Sequence, residues 1–192
     1  SSTGGPMYPE SAKLPWSEKI AAHPISPYGI SKRSAELYLQ YAYEVRGLPY
    51  VALRYANVYG PRQNAKGEAG VISIFADRLS QGQAIVIHGS GEQTRDFVFV
   101  EDVVRANLCA MDRAVVGIFN IGTGKQASIN QVFRTMKGLM GSKVEETHDA
   151  AVVGEVMRSA LSSQKAQLEL GWKPKVTLAQ GLEKTLAWMR RP

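Results

Sequence analysis

Tyr28 and Lys32 lie four residues apart in the stretch SPYGISKRSAELY. On a helix, side chains at that spacing share one face, so a phenol and an ammonium point into the same space. A free phenol titrates near pH ~10, so a tyrosine that works as a base at neutral pH needs roughly 4 kcal/mol of help for its phenolate. A nearby ammonium gives such help by attraction. By itself the pair also fits a surface tyrosine beside a solvated lysine. Two further stretches stand in order around it, SST at the start with Thr3, and LRYANVYGPR at 53–62.

These groups need elements to hold them. Ser26 is a good helix cap and Pro27 a good first helical residue, because the N–H it lacks would have had no partner. Gly47 offers a stop, so a helix is expected over about 26–46. The β-rich run Tyr50–Tyr55 follows, bounded by Gly47 and Gly60. Helix followed by buried strand predicts α/β units with parallel pairing. The polar, glycine-bearing loop PRQNAKGEAG at 61–70 is the expected boundary between a part at 1–60 and a part at 61–192.

Beyond it, VISIFADRLSQG reads as a helix ended by Gly82, and AIVIHG and RDFVFV as short strands around a hairpin turn that includes GSG at 89–91. Glu101 and Asp102 open a helix that runs through Ala114, and GIFNIGTG is another strand. INQVFRTMKGLMG reads as a helix capped by Asn130, and two more helices are expected near Ser162–Leu170 and Leu178–Arg190. The GTGK at 122–125 is not a phosphate loop, since Phe119 stands where the first glycine must be and Gln126 replaces the Ser/Thr. It reads as a turn after a strand.

The composition, 44% hydrophobic and 21% charged, is that of an ordinary globular protein. Net charge is +6 with a pI near 9.5, but the positive residues are scattered and no aromatics interleave with them. That argues against a nucleic-acid surface and leaves plain surface chemistry, ahead of a mild preference for anionic ligands such as phosphates. A single cysteine, Cys109, excludes an internal disulfide and fits a reducing compartment such as the cytoplasm. No apolar run reaches the ~18 residues of a membrane span. The opening SSTGGPMYPE has no initiator Met and no signal-peptide pattern, and reads as the middle of a longer chain. A targeting segment upstream stays open.

SST, YGISK and LRYANVYGPR in this order resemble the catalytic half of the extended short-chain dehydrogenase/reductase family, most of all its UDP-sugar 4-epimerases. The likeness continues through RDFVFVEDV, FNIGTG and LGWKPKVTLAQGLEKTL. It implies an α/β fold: the C-terminal part of a doubly wound, NAD-binding Rossmann-like domain plus a small mixed α/β subdomain for the substrate. It also implies that Tyr28 takes a sugar hydroxyl proton as hydride passes to NAD. Lys32 would favour the phenolate and bond the nicotinamide ribose, Thr3 would bond the same substrate oxygen, and Tyr55 would belong to the cofactor side. The expected reaction interconverts UDP-glucose and UDP-galactose through a 4-keto sugar, with no metal. The alternatives are another nucleotide-sugar epimerase or reductase of the family, or a non-catalytic interaction protein that keeps the fold. Joint retention of Thr3, Tyr28 and Lys32 argues against the last.

Dehydratases of the family carry a carboxylate directly after the Ser/Thr. Here Gly4, Gly5, Pro6 and Met7 follow Thr3, and the first carboxylate is Glu10. Elimination is therefore not expected. For the substrate, the resemblance assigns Asn57 and Arg95 to the diphosphate-sugar, and Val71 and the Val86–His88 strand to the uracil. His88 either stacks on that base or is an exposed strand residue. Where the family has Arg-Pro-Gly-Asp, this chain has Val152-Val153-Gly154-Glu155, so a phosphate arginine is lost and Glu155 replaces the ribose aspartate. Arg158 is a candidate to compensate. Ser159 falls where a bulky tyrosine restricts some epimerases to plain hexoses.

No G-x-x-G-x-x-G follows a strand in these residues. The stretch by itself is therefore expected to be inactive. Leu37, Tyr38, Leu39, Tyr41 and Val45 are expected to stay partly uncovered, which favours a homodimer or association with an N-terminal half.

Overall fold

The local signals in the first helix all act together. In the computed structural model, which describes residues 1–66, 70–152 and 154–189, α1 runs Pro27–Arg46. The Ser26 hydroxyl accepts from the Gly29 N–H at 3.1 Å, and Gly47 closes the helix with φ 67°, a left-handed value that glycine adopts at no steric cost. After it, β2 (Val51–Tyr55) enters a three-stranded parallel sheet between β1 (Ser2–Thr3) and β7 (Gly117–Ile121). Thr3 pairs with Tyr55, and Tyr55 with Ile121, so three strand ends lie side by side.

Alternation along β2 assigns its faces. Arg54 bonds to Glu36 of α1, while Leu53 packs with Val103 and Ala106 of α3 (Val100–Met111). The sheet is thus covered by α1 on one side and α3 on the other. A buried cluster of Leu53, Phe119, Ile121 and Trp172 holds α3 and the π-helical turn Ala166–Leu170 to it. The Asp102 carboxylate accepts the Lys175 and Val176 N–H groups, both at 3.0 Å, which docks the LGWKPKV segment.

A second core forms where α2 (Val71–Ser80), α4 (Ile129–Met140) and α5 (Leu178–Met189) meet, around Phe75, Phe133, Met136 and Leu182. Here β3 (Asn57–Tyr59) pairs in parallel with β6 (Phe97–Phe99), and β4 (Ile85–His88) in parallel with β9 (Glu146–Asp149). The short β5 (Thr94–Arg95) runs antiparallel to β8 (Ala127–Ser128).

Three local expectations are corrected. AIVIHG and RDFVFV do not make a hairpin, because the Gly89–Gly91 turn is held by α4: the Asn130 N–H donates to the Gly91 carbonyl and its side chain to that of Ser90. Ile85 and Ile87 go into the second core, and β9, which the sequence did not disclose, supplies the partner strand. Asn130 is therefore not the cap of α4; the Ser128 hydroxyl, which accepts from the Gln131 N–H at 3.1 Å, is. The third helix ends at Met111 rather than Ala114. Residues 67–69 of the expected boundary loop, Val153 and residues 190–192 lie outside the described residues.

GTGK is a turn after a strand, and its backbone does grip an anion. The Thr123 and Gly124 N–H groups donate to the buried Asp96 carboxylate at 2.9 and 3.0 Å, and the Leu161 N–H adds a third donor at 3.1 Å. Burial pushes this carboxyl up, and these donors oppose it. An internal carboxylate sits where a phosphate loop would hold its ligand.

Candidate active site

Thr3 is buried at the end of β1, and the chain then turns through a 3-10 segment, Gly5–Met7. The first turn of α1 abuts that segment. A Cβ on Gly29 would lie 2.8 Å from the Pro6 carbonyl oxygen and 3.0 Å from the Pro24 Cβ. Only a glycine between Tyr28 and Lys32 lets the helix start so close to the turn that follows Thr3. The Lys32 Nζ is 5.9 Å from the centre of the Tyr28 ring, which is half exposed at 51%. Phenol and ammonium thus share one space, as their spacing requires.

One carboxylate fixes both sides of this arrangement. Glu36 lies one turn beyond Lys32 and is 1% exposed. It accepts from the Arg54 Nε at 2.8 Å and Nη2 at 2.7 Å, and from the Ser2 hydroxyl at 2.7 Å. Arg54 also donates to the Tyr8 hydroxyl at 2.8 Å, which donates in turn to Asn120 Oδ1 at 2.8 Å. The network joins the residue before Thr3, the helix of Tyr28 and Lys32, and strands β2 and β7. Burial pushes the Glu36 carboxyl up, but the hydrogen bonds from Arg54 and Ser2 outweigh it and hold it below its ordinary range. Sequence reasoning passed over this pair. The signal for it was Arg54, a charge inside a strand that otherwise reads as buried, and an acid four residues after Lys32.

Tyr55 goes to the other face of the sheet. Its hydroxyl donates to Asn107 Oδ1 of α3 at 3.0 Å, and burial pushes its phenol up. The structure does not bring this ring to Tyr28.

Four of the residues expected around the substrate do converge. Val71, Val86, His88 and Glu155 line a cleft of about 350 Å³, with Phe75, Arg78, Gln93 and Val152. That is the size of a small-ligand site. Arg78 and Gln93 were not foreseen, although Arg78 lies on the same helix as Val71 and Gln93 follows His88 in the next turn. Asn57 is exposed at the start of β3, its N–H donating to the Asp96 carbonyl. Ser159 is buried at 4%, and its N–H donates to the Thr94 carbonyl, so it is not a surface residue. Arg158 is exposed. Arg95 is bonded to a residue of the cleft: its Nη2 pairs with Glu155 Oε1 at 2.7 Å, and its Nη1 donates to the Thr94 carbonyl at 2.9 Å. Burial pulls this guanidinium down, and the nearby Glu155 and Glu10 oppose that.

Among the described residues no group of three His, Cys, Asp or Glu side chains could hold a metal, and no helix is long and apolar enough to cross a membrane. A half-exposed phenol and an ammonium on one helix face, near the carboxyl ends of parallel strands, are donors that fit a nicotinamide ribose. The pyrophosphate half of such a cofactor would need a glycine-rich cradle that these 192 residues do not contain.

Parallel sheet and two covering helices are those of a short-chain dehydrogenase/reductase of the extended type. The chain belongs to the NAD dependent epimerase/dehydratase family, whose model matches residues 1–122. It is 48% identical to the UDP-glucose 4-epimerase of Thermotoga maritima solved with UDP-glucose, with a TM-score of 0.96 over 98% of this chain and 62% of that one. It is 36% identical to the Thermus thermophilus UDP-glucose 4-epimerase solved with NAD, with a TM-score of 0.89 over 98% of this chain and 62% of that one. The UDP-glucose 4-epimerase of Mycolicibacterium smegmatis is 39% identical over 190 residues, 98% of this chain. The chain spans 61% of that relative's length.

Proposed function

We propose that the complete protein is an NAD-dependent nucleotide-sugar 4-epimerase that interconverts UDP-glucose and UDP-galactose. The observation that supports the reading is that Tyr28 and Lys32 share one face of α1, whose first turn packs on the turn after Thr3, with no carboxylate directly after Thr3. The Glu10 carboxylate, the first that follows, accepts the Met157 N–H at 2.7 Å and so is tied to another segment. That leaves oxidation and re-reduction at one carbon as the chemistry best served, and not elimination.

When bound, NAD supplies the acceptor and donor of hydride. The rest falls to side chains of this chain. Tyr28 takes the proton of the sugar 4-hydroxyl and later returns it. Lys32 favours the phenolate by its charge and holds the ribose. Thr3 bonds the reacting oxygen, and Glu36 keeps the helix and β1 in register. Tyr55 is assigned to the cofactor side only by family likeness, and Asn57, Val71, Val86, His88, Arg95, Glu155 and Ser159 to the nucleotide sugar. A cytoplasmic homodimer is the expected form, with α1 in its interface. In support, Tyr38 is 75% and Val45 61% exposed on that helix.

The test is direct. The full-length protein should co-purify with NAD and convert UDP-galactose to UDP-glucose, whereas residues 1–192 by themselves should not. A full-length protein that carries NAD but leaves both sugars unchanged would refute the reading.

A further inference from the structure

A second hollow, of about 240 Å³, lies where the GTGK turn, the first turn of α4 and the segment before α5 meet. It shares no lining residue with the cleft of Val71 and His88, and Thr3, Tyr28 and Lys32 are not part of it. Lys125 and Lys175 both line it, and no carboxylate does. Among the described residues neither ammonium has an ion-pair partner.

Two buried carboxylates fix the backbone at these lysines. Asp96 takes the Thr123 and Gly124 N–H groups, and the Lys125 N–H then donates to Thr123 Oγ1 at 3.2 Å. Asp102 takes the N–H of Lys175 itself at 3.0 Å. Both stretches are ordered before any ligand arrives, so less entropy is left to oppose binding.

The neutral polar groups of the hollow have spent their acceptors on the protein. The Thr123 hydroxyl donates to Asp96 and accepts from Lys125, and the Thr177 hydroxyl donates to Gln180 Oε1 at 2.9 Å. Gln126 Oε1 accepts the Thr94 hydroxyl at 2.7 Å, which leaves its amide N–H groups. Two ammoniums and an amide donor, with no carboxylate, suit a ligand that only accepts, and phosphate oxygens do so. The hollow is smaller than the ~300–1,000 Å³ of pockets for drug-sized ligands. It has room for a phosphate with a body no larger than one sugar, and not for a nucleotide sugar.

We propose that this hollow is a second anion site, which binds a phosphate group, carried on a small ester or free, between Lys125 and Lys175. It is separate from the site of the reaction and does not depend on which reaction that is.

The experiment is calorimetric titration of the full-length protein with glucose 6-phosphate, inorganic phosphate and glucose, each with and without UDP. Glucose 6-phosphate should bind saturably in the millimolar range or tighter, and glucose should not bind. Tighter binding of the ester than of inorganic phosphate supports the site with a sugar phosphate as its ligand. Equal or tighter binding of inorganic phosphate supports it with the free ion. Lys125→Met and Lys175→Met should each weaken binding about three- to tenfold, between the effects of a surface ion pair and a charged hydrogen bond. Their melting temperatures should match that of the unaltered protein. No saturable binding of either phosphate overturns the proposal, and so does equal affinity in both variants. Competition by UDP also overturns it, because the ligand would then occupy the other cleft.

Discussion

Arg54 and Glu36 meet through two near-parallel hydrogen bonds of 2.8 and 2.7 Å, and their side chains are only 3% and 1% exposed. The pair joins the middle strand of the sheet to the helix that carries Tyr28 and Lys32. Breaking a buried pair by removing one partner strands the other charge, at a cost of about 3–5 kcal/mol. Glu36→Gln should therefore lower the melting temperature of the full-length protein well beyond the effect of a surface change. Replacing both members, as Glu36→Leu with Arg54→Met, should cost less than the sum of the single changes. A double-mutant cycle by thermal or urea unfolding measures this, and additive costs would remove the coupling.

The same carboxyl gives a pH dependence with a defined sign. Glu36 is held below its ordinary value of 4.5, so the unfolded chain takes up this proton first as pH falls. Its contribution is therefore present above about pH 4.5 and is lost as pH drops through the lower, folded value. Stability of the unaltered protein should fall more steeply below that point than stability of Glu36→Gln. Parallel acid-unfolding curves for the two would contradict it.

Tyr28→Phe in the full-length protein should lower kcat by orders of magnitude with little change in KM, since it removes a proton acceptor and leaves the ring. Lys32→Met should also reduce the NAD retained on purification, which Tyr28→Phe should do less. Absorbance of the purified proteins and steady-state kinetics report both. A kcat for Tyr28→Phe near that of the unaltered protein would take Tyr28 out of the mechanism.

Two helical glycines should respond in opposite ways to alanine. At Gly138 in α4 nothing lies within 4 Å of an added Cβ, so the better helix propensity should stabilise by about 0.5–1 kcal/mol. At Gly29 the added Cβ meets the Pro6 backbone, which can yield only by moving the first turn of α1. Gly29→Ala should thus lower kcat, by as much as ~100-fold if Tyr28 is displaced by an ångström. Unfolding curves and turnover of the two variants, side by side, check the contrast.

Ser159→Tyr should separate substrates. The serine is 4% exposed, and its backbone is tied to Thr94, next to Arg95. With a small residue there, UDP-N-acetylglucosamine should be a substrate beside UDP-glucose, and the tyrosine should abolish only the former. Absence of N-acetyl turnover in the unaltered enzyme would end the idea.

The sequence alone was enough for what depends on nearest neighbours. Ser26, Pro27 and Gly47 set the ends of α1, and the period of the helix set Tyr28 against Lys32. The helix followed by the β-rich run at 50–55 pointed to an α/β sheet with parallel pairing. What only the tertiary structure decided was which distant groups meet. Strand β4 took the distant β9 as its partner, and Asn130 of α4 holds the turn after β4, two contacts no local pattern discloses. Asp96 filled the GTGK turn from 27 residues away. Glu36 found Arg54, and Glu155 found Arg95, across 18 and 60 positions. Charge pairing of this kind depends on burial and on direction in space, and neither is written in the order of the residues.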